Sequence, residues 1–203
     1  MTAAPDGHDP VGANPAPRAQ LSEHASVLFL DIDHTLHASD AYLCDGRVTA
    51  GSPVSTLFEF APILERLIAP YPSLVIILSS SWVHVLGYAY TVAQLPTTSL
   101  QARVRGATFE SDDAADDSWP TLPRGVQVLR FVRSHRLRHW LAIDDMRAGF
   151  EGYEAQLVHC QIGMGLGDKD VQKLFADRLA TMFGTPGLVP ESGMPGAPVD
   201  GDR

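Results

Sequence analysis

The stretch VLFLDIDHTL, Val27–Leu36, runs four apolar residues straight into two aspartates, Asp31 and Asp33, separated by one residue. A short apolar run of this kind predicts a buried strand, and the strand delivers two like charges to its carboxyl end. Carboxylates that close repel and shift each other's pKa, which costs stability unless something compensates. A bound cation would compensate. So would a reaction that uses one ionised carboxylate beside another that carries a proton.

Four further runs share the strand-like pattern: SLVIILSSS passing Ser79 and Ser80, ARVRGAT over Ala102–Thr108, HWLAIDD ending in Asp144 and Asp145, and AQLVHC ending at Cys160. Nearly continuous apolar runs are what strands look like when both faces of a sheet are covered. Helical patterns alternate with them. One opens at Pro62 and carries Ile63, Leu64, Leu67 and Ile68; a second runs from Trp82 to about Leu95. A third runs from Arg124 or Gly125 to about His135, and a fourth starts near Asp168 or Asp170 and carries Val171, Leu174, Phe175, Leu179 and Met182. This alternation predicts an α/β fold, a three-layer Rossmann-like parallel sheet with helices on both faces. In such sheets function gathers at the carboxyl ends of the strands. Asp31, Asp33, Ser79, Ser80, Asp144 and Asp145 are therefore expected on one rim, where Mg²⁺, a hard cation that prefers oxygen ligands, suits the carboxylates.

The 203 residues with 45% hydrophobic content fit one globular domain with flexible ends. Residues 1–25 are rich in Pro, Ala, Gly and Asp, residues 184–203 repeat Gly and Pro, and both stretches are expected to be disordered. The domain is expected over residues 26–183. No basic start followed by an apolar run marks a signal peptide, and the most apolar window, Leu74–Leu95, is broken by serines and His84. Two cysteines without metal-ligand spacing, Cys44 and Cys160, fit a reducing compartment, and a cytoplasmic location with no membrane attachment is expected. The formal charge of −9 argues against a protein that coats nucleic acid non-specifically. The basic cluster Arg130–His139 reads either as a solvated helix face or as a phosphate-tracking stripe.

The order FLDIDHTL, VIILSSSW, a basic residue, then WLAIDD resembles the haloacid dehalogenase (HAD) superfamily of phosphohydrolases, over most of Val27 to Phe183. More narrowly, LSSSW, RVRGATFE, WLAIDD and GLGDKD resemble the HAD domain found in Swiss Army Knife RNA repair proteins. The resemblance implies a Mg²⁺-dependent phosphomonoester hydrolase acting through an aspartyl-phosphate. It implies phosphorylated substrates, nucleic-acid ends among them, and RNA repair proteins as partners. Asp31 would be the nucleophile. Asp33 would protonate the leaving oxygen and activate water, with its backbone carbonyl toward the metal. Ser79, with Ser80, would hold a phosphoryl oxygen, and Asp144 with Asp145 would complete the metal site. The superfamily also uses a cation, usually lysine, to hold phosphate. The only lysines, Lys169 and Lys173, follow the Asp144 pair, so Arg124 is the candidate, with a surface arginine as the alternative.

Two further departures and two cleft candidates bear on this implication. His34 stands where a small residue is usual, Val83 follows Trp82 where an arginine is common, and His37 and His84 are candidates to line the cleft. The stretches His37–Pro62 and Leu95–Pro123 are too short for a large lid, so a minimal cap or none is expected. Two other classes compete. A receiver-type signalling module also uses a phospho-accepting aspartate, but places its acidic pair before the acceptor. A catalytically idle relative that binds a phosphorylated ligand or partner is the remaining alternative.

Overall fold

Each apolar run singled out above becomes a strand of one parallel sheet. The computed structural model of the chain describes residues 14–184. Along the chain come β1 (Ser26–Leu30), β2 (Ala41–Cys44), β3 (Arg47–Ala50), α1 (Ala61–Ile68), β4 (Val75–Leu78), α2 (Ser81–Leu86), α3 (Tyr88–Gln94), α4 (Thr98–Arg103), β5 (Val104–Ala107), α5 (Arg124–Ser134), β6 (His139–Asp144), β7 (Leu157–His159) and α6 (Lys169–Phe183). The main sheet has the order β5-β4-β1-β6-β7, with every pairing parallel. The chain builds outward from β1 on one side, then returns to its other side, so the switch point lies at β1.

Alternation along the central strands divides the core in two. Leu28, Leu30, Ile76, Leu78, Leu141 and Ile143 pack with Leu64 and Ile68 of α1 and Phe175 and Leu179 of α6. Val27, Phe29, Ile77 and Ala142 face the other way, onto Val128, Leu129 and Phe131 of α5. A sheet covered on both faces, with helices above and below, is the three-layer architecture that the sequence predicts.

Three features depart from the sequence reading. The single helix expected over Trp82–Leu95 is two, α2 and α3, broken at Gly87, whose φ of 86° is a conformation side-chain-bearing residues rarely adopt. The stretch His37–Pro62 contains a hairpin, β2–β3, closed by Asp45 and Gly46 with φ of 49° and 74°. Positive φ at both turn positions is the geometry that Asp-Gly favours. Finally, the stretch expected to be a disordered tail is partly built into the fold. Residues 1–13 lie outside the described residues, but Ala16 is fully buried and forms a parallel bridge with Glu110. Tyr88 N donates to Asn14 O at 2.9 Å, and Ala19 packs over Gly106 of β5, where an added Cβ would meet the Ala19 Cβ at 3.0 Å. This segment is held by backbone pairing and two small apolar side chains, so it carries no periodic pattern. Of the expected C-terminal tail, residues 185–203 lie outside the described residues; Gly184 caps α6.

Candidate active site

Strand register brings the site residues to one level. Leu30 pairs with Leu78 on one side and Ile143 on the other, so the next residues, Asp31, Ser79 and Asp144, leave three adjacent strands side by side. Ser79 N donates to Leu30 O at 2.8 Å and Asp31 N to Ile143 O at 3.2 Å, which extends the ladder to the rim itself. Asp31, Asp144 and Asp145 each offer a carboxylate oxygen, and these oxygens lie within 4.8 Å of one another. Asp31 and Asp144 are buried and Asp145 is half-buried.

The electrostatic cost of this cluster is legible in its proton affinities. Burial, then the neighbouring Asp144 charge, pushes Asp31 well above the ordinary carboxylate value, with Arg124 opposing. Burial pushes Asp144 up to about 7, against the pull of Arg124 and of the Met146 N–H. Burial also raises Asp145. Three carboxylates that resist ionising together are the environment that a divalent cation reverses. The donor set suits Mg²⁺: all three ligands are hard oxygens, and Asp144 Oδ2 is buried with no hydrogen-bond partner among the described residues. The Asp33 side chain lies outside this group.

Arg124, the first residue of α5, reaches into the cluster. Its Nη2 lies 3.6 Å from Asp31 Oδ1 and its Nε 3.4 Å from Asp144 Oδ2. The second contact has ion-pair distance but not hydrogen-bond geometry, so Nε keeps an unused donor among the described residues. The structure therefore brings Arg124 to the carboxylates. Close packing places it there: Gly125 N donates to Ala148 O at 3.0 Å, and a Cβ at Gly125 would lie 2.1 Å from the Gly149 carbonyl carbon. The start of α5 thus rests directly on the loop that follows the Asp144 pair.

Ser79 and Ser80 divide their tasks. Ser79 Oγ is buried and has no hydrogen-bond partner among the described residues, a hydroxyl waiting for an acceptor or donor. Ser80 instead caps α2, its Oγ accepting from Trp82 N at 3.5 Å.

Sequence reasoning missed how Asp33 is held. Trp82 Nε1 donates to Asp33 Oδ1 at 3.0 Å, and His37 Nε2 lies 3.1 Å from the same oxygen. Burial raises the Asp33 pKa, the His37 and Trp82 hydrogen bonds oppose this, and the net position is below the ordinary value. The fully buried His37, four residues after Asp33, is thus a partner of the site. Gln127 was missed as well: it accepts from Arg124 Nη1 at 3.0 Å, and no sequence motif marks it. His34 takes a φ of 55°, where glycine would be unstrained. Its ring lies 3.2 Å from Ala38 O through Nδ1 and 3.5 Å from Asp40 through Nε2, ties that hold the turn after Asp33. Among the described residues no helix is long and apolar enough to cross a membrane.

Comparison with curated proteins and with solved structures gave no match. A family model does match, over residues 27–171, which span β1 through the first turn of α6 and so include every residue of the site just described. The chain belongs to the family described as the HAD domain in Swiss Army Knife RNA repair proteins.

Proposed function

We propose that the chain is a Mg²⁺-dependent phosphomonoester hydrolase that works through an aspartyl-phosphate on Asp31. The family carries a phosphohydrolase-type function, and one observation supports the finer reading. The carboxylates of Asp31, Asp144 and Asp145 converge within 4.8 Å beside a buried arginine. Phosphoryl transfer depends on positioning and charge neutralisation, and this rim supplies both.

In this reading Asp31, Asp144 and Asp145 hold Mg²⁺ through their side chains. The bound ion supplies charge neutralisation for the phosphoryl oxygens and keeps Asp31 ionised. An Asp31 oxygen attacks phosphorus, the bond from phosphorus to the leaving oxygen breaks, and Asp33 gives that oxygen its proton. The phosphoryl dianion beside Asp33 raises its proton affinity from the resting value, which suits it to that task. Water then attacks phosphorus, Asp33 takes a proton from it, and the bond to Asp31 breaks, releasing phosphate, freeing the Asp31 carboxylate and returning to Asp33 the proton it gave in the first step. Arg124 and Ser79 Oγ hold the non-bridging oxygens during both steps.

The test is release of inorganic phosphate from p-nitrophenyl phosphate, with and without Mg²⁺, by wild type and Asp31→Asn. Turnover that needs both the metal and Asp31 supports the mechanism; turnover undiminished in Asp31→Asn refutes it. The family's RNA repair context makes nucleic-acid ends the first physiological candidates. A panel of 3′- and 5′-phosphorylated oligonucleotides against small phosphate esters decides that point.

A further inference from the structure

The cavity over the carboxylates has two unlike walls. Asp31, Asp33, Asp145 and Arg124, all used by the mechanism above, belong to a polar lining that also includes His34, Asp40 and Ser81. His84, Trp119, Pro120, Leu122 and Met146 form the other, which that mechanism leaves without a task. This second wall is mostly apolar, and its rings are packed together. Trp119 is buried and lies nearly parallel to the His84 ring, with centroids 6.4 Å apart and planes 14° apart. Phe109 braces both, its centroid 4.7 Å from Trp119 and 5.1 Å from His84. The half-buried imidazole is thereby held as a flat plate, and the half-buried Leu122 and the exposed Pro120 and Met146 line the same cavity.

Gln127 joins the two walls. Its Oε1 accepts from Arg124 Nη1 at 3.0 Å, while its Nε2 donates to Trp119 O at 3.3 Å and Leu122 O at 3.1 Å. One buried carboxamide thus fixes the guanidinium and both ends of the 119–122 turn. The spacing between phosphoryl site and apolar wall is set by side-chain hydrogen bonds to backbone carbonyls, and is not left to a free loop.

We propose that this wall is a leaving-group subsite, selecting phosphomonoesters that carry a flat apolar group beside the phosphate over esters of polyols. The proposal rests on the phosphatase reading above. Apolar surface beside the phosphoryl site stabilises a ligand that removes it from water, and a polyol cannot do so without losing its own hydration. The cavity volume of about 280 Å³ lies at the small end of ligand sites, which suits a compact ester.

Benzyl phosphate and glycerol phosphate test this directly, because their leaving alcohols are of similar acidity and chemistry alone does not favour either. With Mg²⁺ the expected kcat/KM is about tenfold higher for benzyl phosphate, the discrimination typical of a small apolar contact. In calorimetry, the non-hydrolysable benzylphosphonate is expected to bind about tenfold more tightly than methylphosphonate, for the same reason. The double variant Leu122→Ser, Met146→Ser changes two side chains outside the core and should bring each pair level. Equal kcat/KM for the two esters in wild type, or a preference that survives the double variant, overturns the subsite. These results are separable from failure of the phosphatase reading. A chain that hydrolyses neither ester yet binds benzylphosphonate selectively keeps the subsite and loses the reaction; equal turnover of both esters does the reverse.

Discussion

Arg124 Nη2 lies 3.6 Å from Asp31 Oδ1, so a helix begins with a cation aimed at the carboxylate that ends the central strand. A positive charge at a helix N-terminus is disfavoured by the helix dipole, by about 0.3–1 kcal/mol. The buried carboxylates of Asp31 and Asp144, not the helix, therefore hold it in place. Among the described residues no lysine reaches this cluster, and an arginine brings a fork of donors where a lysine would bring a point charge.

If Arg124 stabilises the transferring phosphoryl group, Arg124→Ala should cost about 3 kcal/mol, or two orders of magnitude in turnover. Arg124→Lys should recover part of the loss, since charge survives while the fork does not. Arg130→Ala is the control. That arginine pairs with Asp116 at 2.9 Å on the exposed side of α5 and should matter little for a small ester. Steady-state kinetics on p-nitrophenyl phosphate decide the matter, and equal behaviour of the two alanine variants would remove Arg124 from the phosphate site.

Asp31→Asn should abolish turnover while leaving the fold intact, because it removes the attacking charge at nearly constant volume. The same change relieves the repulsion and burial that push the Asp31 pKa up. Thermal melting in the presence of a chelator should therefore show equal or higher stability than wild type. A large drop in melting temperature would mean that the Asp31 charge is structurally needed, and that the cluster is held by something other than a metal.

Gly125→Ala should damage both stability and turnover. An added Cβ would lie 2.1 Å from the Gly149 carbonyl carbon and 2.4 Å from Phe150 N, both backbone atoms, so the start of α5 must move. Overpacking of this kind costs about 1–3 kcal/mol. Displacing α5 also displaces Arg124, so turnover should fall further than the loss of folded protein explains. Chemical denaturation paired with kinetics on the folded fraction separates the two effects; full activity in the folded fraction would show that Arg124 tolerates the shift.

The fold was legible where burial is two-sided. Strands such as Val75–Leu78 are covered above and below, so almost every residue is apolar and the run stands out. Arg124 was singled out in the sequence because the resemblance implies a cation near the carboxylates and no lysine precedes the Asp144 pair, and the structure places it 3.6 Å from Asp31 Oδ1. Gln127 was not legible, because its role depends on where the carbonyls of Trp119 and Leu122 fall, and that is set by a loop without a pattern. The Asp45–Gly46 turn did carry a local hairpin signal, hidden by strands of only four residues each. Ala16 and Ala19 were read as tail because single small residues, fixed by backbone pairing to Phe109 and Ser111 and by Glu110, leave no periodicity.

That last attachment yields a pH dependence. Glu110 is buried, and its Oε1 accepts from Ala19 N at 2.7 Å, with His135 Nε2 at 3.4 Å from the same oxygen and Arg18 Nη1 at 3.9 Å from Oε2. Burial raises its pKa above the ordinary 4.5, outweighing the Ala19 hydrogen bond and the charges of His135 and Arg18, while Asp113 adds to the rise. A carboxyl whose folded pKa is raised binds its proton more tightly in the folded chain than in the unfolded one. Its contribution to stability is therefore complete below the unfolded value and is lost as pH rises through the folded one. Glu110→Gln keeps an acceptor for Ala19 N and stays neutral throughout. The variant should gain on wild type in denaturant midpoint as pH rises from the ordinary 4.5 through the raised folded value. Protection from hydrogen exchange at Ala19 N, taken relative to the intrinsic rate at each pH, should follow the same course, falling with rising pH in wild type and staying level in the variant. A stability difference that does not change across that range would show that Glu110 is equally comfortable with and without its proton.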